Sequence, residues 1–303
     1  MNQKPNVLSR SVNYTITIAG ILFMLPGLFM ILFTIIIPLF WNIILSFLEW
    51  NGNSSAVFVG LDNYFKVFAD RRAYSTILNS LFIGLVSTSV GVLLGLFLAL
   101  CIYRLTGPEG VFCRFIYFSV SMLPMVIVGL LFSFILAPDE GLLNSFFRLV
   151  GLRSLERAWL ANPKIVLWSL AIIQGFKSSG AIMMLFYTAI VRIPPSFFEA
   201  GILEGASYFQ ELKIIILPLI KSTANLVVSL FLIGAFKSYD IVWTMTRGGP
   251  ADVSKTAPIR MIEVGFSYSQ FGYAASIGVL LTIIVGLCVI ISRWFLKGEA
   301  YEY

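Results

Sequence analysis

The sequence contains no histidine, and its three cysteines, Cys101, Cys113 and Cys288, form no Cys-x-x-Cys pair. The absence of histidine excludes Ser-His and Cys-His catalysis, as well as histidine-ligated metal sites within this chain. An odd number of separated cysteines is typical of reduced thiols rather than of a disulfide framework. The sequence also lacks the Gly-x-x-x-x-Gly-Lys-Ser/Thr loop that cradles nucleotide phosphates. We therefore expect no metal and no cofactor in this chain.

Charged residues are scarce. They make up 12% of the chain, whereas 58% of its residues are hydrophobic and the mean hydropathy is +0.91. Soluble domains have about 25% charged residues. The apolar runs reach about 20 residues, which favours membrane-spanning helices over the alternating strands of a barrel. The net charge of +6 is typical of membrane-flanking Lys and Arg, and no basic stripe indicates nucleic-acid binding. The sequence therefore predicts an all-α integral membrane protein.

Apolar segments predict six transmembrane helices in a single domain covering residues 1–303. Lys4 and Arg10 precede an apolar run that is too long for the core of a signal peptide, so we expect this run to persist as the first span. Pro124 interrupts the third span. Six spans place both termini on one side, but the distribution of Lys and Arg does not decide which side. The predicted spans are about 16–47, 76–103, 115–137, 164–191, 213–245 and 272–296.

Polar side chains inside the later spans are candidates for a translocation path. A charge at mid-membrane costs roughly 2.5–3.5 kcal/mol on insertion scales and therefore faces water, protein or a solute. Lys177 in the fourth span is such a charge, although an inward lysine that only packs or pairs is an alternative. Lys237 and Asp240, at i and i+3, are predicted to share a helical face and to neutralise each other. The candidates are Gln174, Lys177, Asn225, Lys237, Tyr239, Asp240 and Trp243.

A segment of mixed polarity, residues 194–218, separates the fourth and fifth spans. Pro194 and Pro195 end the preceding helix. Ser196 and Glu199 have the spacing of a capping box, in which two side chains satisfy the first backbone N–H groups. Apolar residues at helical spacing then predict a short amphipathic helix outside the membrane, over about residues 196–210. A helix in this position is suited to docking on a partner protein.

The same segment resembles the EAA loop of permeases from binding-protein-dependent ABC importers. That loop reads Glu-Ala-Ala, three residues, Gly, nine residues, Ile-x-Leu-Pro. The one departure is Gly201 at a position that is usually alanine, so the helix depends more on docking for its order. The stretches FVGLDNY and DIVWTMTRGGP resemble the sugar-importing branch, which includes maltose and glycerol-phosphate permeases. The residues that align with the motif are Glu199, Ala200, Gly201, Gly205, Ile215, Leu217 and Pro218.

The resemblance implies a non-catalytic permease subunit of an ATP-driven importer for a sugar or sugar-like solute. Its implied partners are a second homologous permease, two ATPases that carry ATP and Mg, and an extracytoplasmic solute-binding protein. The loop between the fourth and fifth spans would be a cytoplasmic coupling helix that docks in a groove of the ATPase. The resemblance also implies a bacterial inner membrane location with cytoplasmic termini.

Two other classes of function remain open from the residues alone. A self-contained carrier or channel can use Lys177, Lys237 and Asp240 as an ion path, but the sequence shows no inverted repeat of the kind many carriers contain. An intramembrane enzyme needs a matched catalytic set, and Asp240 is the only acid well inside a span. For the importer, amide and aromatic side chains suit a sugar, whereas Lys177 and Lys237 also suit an anionic solute. The sequence does not choose between these solutes.

Overall fold

The structure, a computed structural model, describes residues 20–53 and 55–296. Two short strands, β1 (Leu48–Glu49) and β2 (Val57–Phe58), pair antiparallel with Leu48 opposite Phe58. In chain order the helices are α1 (Gly20–Ser46), α2 (Asp62–Ala69), α3 (Arg71–Ile102), α4 (Pro108–Met122), α5 (Met125–Ile135), α6 (Leu142–Leu149), α7 (Val166–Val191), α8 (Pro195–Leu203), α9 (Tyr208–Leu219), α10 (Lys221–Ala235), α11 (Asp240–Met245), α12 (Ala257–Ile262) and α13 (Phe271–Phe295).

In the described part of the chain, four helices are long and apolar enough to cross a membrane: α1, α3, α7 and α13. The number rises to six if each of two bent pairs is one span. These pairs are α4 with α5, bent by 98°, and α9 with α10, bent by 64°. The structure thus supports a helical membrane protein with four to six spans. The predicted start of the first span near residue 16 lies outside the described residues, and the sixth span, predicted to end near residue 296, ends at Phe295.

The bends have local causes. Leu123 and Pro124 are extended between α4 and α5, because proline has no backbone N–H and disfavours a helical residue before it. The predicted fifth span is interrupted a second time, since α10 ends at Ala235 and α11 begins at Asp240. Lys237 and Asp240 therefore do not share a continuous helical face, and no ion pair joins them in the described chain. Their predicted pairing is wrong.

α3 and α7 pack along each other at the centre of the bundle. Their backbones come so close that a side-chain carbon added to Gly95 would lie 2.6 Å from Ile182 Cγ2, and one added to Gly91 would lie 3.0 Å from Ile182 Cδ1. Small residues permit this approach between apolar helices. At the end where α3 and α7 both finish, a buried apolar cluster also holds Ile216 of α9 and Ile220, which follows it. We refer to this end as the α8 end.

At the opposite end, an ion network joins the start of α3 to the segment before α13. Arg260 is buried and contacts Asp70 Oδ2 and Glu263 Oε2, each at 3.1 Å, and Lys255 Nζ lies 3.0 Å from Glu263 Oε1. The Tyr273 hydroxyl donates to Asp70 Oδ2 at 3.1 Å. Burial raises the pKa of both carboxyl groups, but their hydrogen bonds and neighbouring cations lower it more, so both pKa values lie below their ordinary range.

Candidate functional site

The helix that follows α7 begins one residue earlier than the sequence predicts. Pro194 is the N-cap residue of α8 and the first helical position is a proline, which needs no hydrogen bond there. Ser196 lies inside the helix and makes no cap, so the predicted capping box between Ser196 and Glu199 is wrong. A capping box instead joins Ser207 and Gln210 at the start of α9, where the Ser207 N–H donates to Gln210 Oε1 at 2.7 Å.

A tight turn separates α8 from α9, so the helix predicted over 196–210 is divided in two. Gly205 has a φ of +73°. The Gly205 N–H donates to Ile202 O at 3.0 Å, and the Ala206 N–H donates to Gly201 O at 2.8 Å. This pair of bonds is a Schellman motif, whose left-handed residue is usually glycine because other residues pay about 1–2 kcal/mol there. A side-chain carbon on Gly205 would meet nothing within 4 Å in the described chain. Within this chain, Gly205 therefore serves the backbone turn.

α8 packs against α9 through two positions of the EAA motif, Gly201 and Ile215. A side-chain carbon on Gly201 would lie 3.2 Å from Ile215 Cδ1, which is a tight contact. Ile215 and Phe198 both pack against the apolar cluster at the α8 end. Ile215 belongs to a π-helical turn, Glu211–Ile216, and Leu217 and Pro218 then return the chain to α-helical geometry. Gly201, a departure from the usual motif, thus lets the two helices come close.

The outer side of this helix pair carries exposed apolar and acidic side chains, which we call the α8 surface: Glu199, Ala200, Ile202, Leu203 and Phe209. Ile202, Leu203 and Phe209 are 73%, 89% and 77% exposed, and Glu199 and Ala200 are exposed as well. The Phe209 ring makes an edge contact with Tyr208, and otherwise these side chains leave most of their surface uncovered by the described chain. Large apolar side chains that are exposed together with polar ones are typical of a protein interaction site.

Four residues, which we call the Arg104 cluster, fasten the start of α9 to the end of α3: Tyr103, Arg104, Tyr208 and Glu211. Arg104 Nη2 donates to Glu211 Oε2 at 2.6 Å, and the Tyr103 hydroxyl donates to Glu211 Oε1 at 2.7 Å. The Arg104 guanidinium lies 4.6 Å from the centre of the Tyr208 ring. Hydrogen bonding to Glu211 raises the pKa of Arg104. Burial and the Glu211 carboxylate raise the pKa of Tyr103 to about 12, so its hydroxyl stays a donor at neutral pH.

A cavity of about 300 Å³ lies within the bundle, between α3, α7 and α10 and beside the start of α5. Lys177 is its only charged lining residue, and no ion pair reaches Lys177 in the described chain. Thr88 Oγ1 is buried and has no hydrogen-bond partner among the described residues. The cavity therefore offers donors to an occupant. Its lining is Ser87, Thr88, Met125, Gln174, Lys177, Ser178, Ile182, Leu230, Phe231, Gly234 and Ala235.

Of the seven path candidates, Gln174 and Lys177 line this cavity and five do not. Gln174 is also structural, because its Nε2 donates to Ala235 O at 3.2 Å and its Oε1 accepts from the Ser238 hydroxyl at 2.8 Å. Tyr239 and Trp243 stack on each other with ring centres 5.8 Å apart. The others are Asn225, whose Oδ1 is buried without a partner in the described chain, and Lys237 and Asp240, which are exposed.

Sequence reasoning missed Ser87, Thr88 and Ser178 as lining residues. A signal for the first two was present, because Ser87 and Thr88 belong to a short run of hydroxyl residues inside the otherwise apolar second span. Such a run inside an apolar helix marks a face that contacts protein or water rather than lipid. The lining from α10 carried no comparable signal, since Leu230, Phe231 and Gly234 are ordinary residues of an apolar helix.

The family model described as the inner membrane component of binding-protein-dependent transport systems matches residues 91–297. The chain belongs to this family. The match contains both the loop that carries the α8 surface and most of the cavity lining. As a permease of this family, the chain is a non-catalytic subunit of an inner membrane transporter, and the ATPase is a partner chain. This agrees with the absence of a phosphate-binding loop from its sequence.

Relatives of this permease cover nearly its whole length. The probable ABC transporter permease protein YurN of Bacillus subtilis is 32% identical over 92% of this chain and 96% of its own. The trehalose/maltose transport permease MalF of Thermococcus litoralis is 26% identical over 92% and 94%. The solved structure of a bacterial ABC transporter that imports the acidic polysaccharide alginate has a TM-score of 0.79 at 18% identity, over 96% of this chain and 98% of the matched chain. It shows that the two permeases share a fold.

Proposed function

We propose that this permease is one half of the membrane path of an ATP-driven importer for a sugar or sugar-like solute. A second, homologous permease supplies the other half, two ATPases supply the energy, and an extracytoplasmic binding protein delivers the solute. Relatives named for the transport of starch degradation products, diacetylchitobiose and trehalose or maltose support this solute class. The structural neighbour was also crystallised with a periplasmic protein bound to an alginate pentasaccharide.

The observation that carries the proposal is the geometry of the α8 surface. α8 is held by the Schellman turn at Gly205 and by the contact of Gly201 with Ile215, so its orientation relative to α9 is fixed. Glu199 and its apolar neighbours nevertheless point away from the chain. A rigid helix with an exposed mixed surface can be moved as a unit by a partner. We assign this partner as the ATPase.

The assignment of the partner also orients the protein. ATP is available in the cytoplasm, so α8 and the ends of α3 and α7 lie on the cytoplasmic side. Both termini then lie on the same side if each bent pair of helices is one span, in a bacterial inner membrane. The Arg260 network and the β-hairpin accordingly face the extracytoplasmic side, where the binding protein arrives. Importers coupled in this way change the accessible side of their path by conformational change rather than by chemistry in the permease.

The cavity beside the break between α4 and α5 is our candidate for part of the solute path. Broken helices are tolerated at membrane depth where they line a cavity inside the protein. Lys177 and Thr88 offer hydrogen-bond donors, and Phe231 offers an aromatic face. The Ser178 hydroxyl donates to Gln174 O at 2.9 Å, so it offers an acceptor. These are the groups that a hydroxyl-rich or carboxylated saccharide uses. The five other candidates remain proposals for parts of the path outside this cavity.

Native mass spectrometry of the tagged chain, extracted gently from its own membranes, tests the proposed assembly. We expect one copy of this chain, one related permease and two copies of an ATPase. Two copies of this chain with two ATPases would support the importer and contradict the second permease. A lone chain, or an oligomer without any ATPase after crosslinking before extraction, would contradict the proposal and favour a self-contained carrier.

Replacement of Lys177 by methionine is expected to lower uptake while the complex still assembles. Hydrogen bonds to charged groups contribute about 1.5–3 kcal/mol, so we expect uptake at limiting solute to fall roughly tenfold or more. The matched control is Lys164→Met, because Lys164 is exposed just before α7 and is neither a path candidate nor part of the cavity lining. The measurement is uptake in proteoliposomes that contain the whole complex with its binding protein. Unchanged uptake of every solute tried would make Lys177 structural.

A further inference from the structure

Two kinds of contact attach the loop formed by α8 and α9 to the rest of the bundle. The first is apolar, since Ile215, Ile216 and Leu212 of α9 pack into the cluster that holds Ile102 and Phe186. Apolar contacts are not directional, so they restrain the rotation of one helix against another less specifically than hydrogen bonds do. The second kind is the Arg104 cluster, whose bonds have defined lengths and angles. The second kind adds directional restraints on the register of α9 against α3.

The Arg104 cluster is fully connected internally. Both carboxylate oxygens of Glu211 accept a hydrogen bond, one from Arg104 and one from Tyr103. Arg104 Nε donates to the Tyr103 hydroxyl at 2.7 Å, and the guanidinium covers the ring of Tyr208. Charge-assisted bonds of this kind are short and geometrically specific. Residues 104 and 211 are far apart in the sequence, so the cluster is a tertiary link and not part of one helix.

The position of the cluster determines what it can transmit. Tyr208 and Glu211 lie directly after the Schellman turn that ends α8, and Glu211 opens the π-helical turn of α9. π-turns are local irregularities of a helix and are frequent at functional sites. Tyr103 follows α3 directly, and α3 contributes Ser87 and Thr88 to the cavity. The cluster therefore connects the loop that would dock on the ATPase to a helix that lines the candidate path.

We propose that Arg104 and Glu211 are positioning residues that transmit the displacement of α8 to α3, and so couple ATP hydrolysis to the opening of the path. This inference rests on the proposed function. Covalent routes from α8 run back into α7 and forward along α9 into α10. The Arg104 cluster adds a route into α3, so that the three helices between which the cavity lies move together.

A role in folding alone does not account for the cluster. Arg104 is half-exposed, with 53% of its side chain accessible, while Glu211 is 15% exposed. Exposed ion pairs contribute little to stability because water screens them. The apolar cluster at the α8 end persists without Arg104, so loss of the ion pair leaves α9 attached but free to move relative to α3. Coupling is then affected more than assembly.

Charge reversal and charge swapping in the complete transporter test this inference. The variants are Arg104→Glu, Glu211→Arg and the double swap, and the matched control is Lys213→Glu, an exposed residue of the same helix. The measurements are ATP hydrolysis and solute uptake in proteoliposomes, with assembly checked by native mass spectrometry. We expect each single reversal to leave assembly and basal hydrolysis close to wild type and to lower uptake per ATP by roughly two- to thirtyfold. The double swap should recover most of the loss, and the control should lose nothing.

The outcomes separate this inference from the proposed function. Single reversals that transport like wild type, a swap without recovery, or an equal loss in Lys213→Glu would each overturn the role of the Arg104 cluster. Loss of assembly in both single reversals would also overturn it, because the residues would then be structural. If wild type itself shows no solute-stimulated hydrolysis, the proposed function fails before the cluster is tested.

Discussion

Replacement of Glu199 by lysine is expected to abolish uptake and solute-stimulated ATP hydrolysis. Glu199 is exposed on α8, and no hydrogen bond or ion pair within the described chain involves its side chain. The predicted capping box would have given this carboxylate a structural role, but the structure places the cap elsewhere. We propose that Glu199 instead docks on the ATPase. Disruption of a charge pair in an interface costs about 2–5 kcal/mol, which is roughly thirtyfold to several thousandfold in affinity.

The measurement is uptake together with ATPase activity of the reconstituted complex, and native mass spectrometry reports whether the ATPases are retained. Glu204→Lys is the matched control, since Glu204 is exposed on the same short helix but caps its C-terminus, where a cation is favoured. We expect Glu204→Lys to retain most of the activity. Full coupled activity in Glu199→Lys would contradict the assignment of α8 as the docking helix.

The loop between α7 and α10 could be predicted from short-range sequence patterns, but two details of its helical structure were predicted wrongly. The motif depends on short spacings, so Glu199, Gly205 and Pro218 identified a loop between two spans without any tertiary information. The helix boundary within that loop was wrong by one residue, because the first position of a helix tolerates Pro195 and the cap moved to Pro194. The predicted helix also continued through Gly205, although a glycine there is a frequent signal for a helix end.

Pro124 marked the break between α4 and α5, but the break between α10 and α11 was less predictable because distant residues stabilise it. The interruption between α10 and α11 is held by Gln174, which binds the Ser238 hydroxyl, and by Thr256, which donates to Ser238 O at 2.8 Å. These partners lie outside any local window around Ser238. The hydropathy of residues 213–245 predicts one continuous helix. In such a helix Lys237 and Asp240 would share a face, but in the structure the break lies at these residues. The cavity was missed in part for the same reason, since α3 and α10 contribute to it only through the fold.

The Arg260→Met variant is expected to lose substantial stability at the end of the bundle opposite α8. Arg260 is 8% exposed and contacts two carboxylates, Asp70 and Glu263. Removal of one member of a buried ion pair costs about 3–5 kcal/mol, and the lower end applies here because both carboxylates are partly exposed. We expect the thermal midpoint to fall by roughly 5–10 °C. Tryptophan fluorescence of the detergent-solubilised complex measures this change, and Arg153→Met, an exposed residue of the same end, is the control.

The pH dependence of the same variant separates an ionic cause from lost packing. The pKa values of Asp70 and Glu263 are lower in the folded protein than in the unfolded chain. Their ionisation therefore stabilises the fold above the unfolded pKa of about 4, and this stabilisation is lost as the pH falls through the folded values. Protonated carboxyl groups no longer need Arg260, so the difference between wild type and Arg260→Met should be full at neutral pH and shrink below about pH 4. A deficit that stays constant over this range would assign the loss to packing of the arginine stem rather than to its charge.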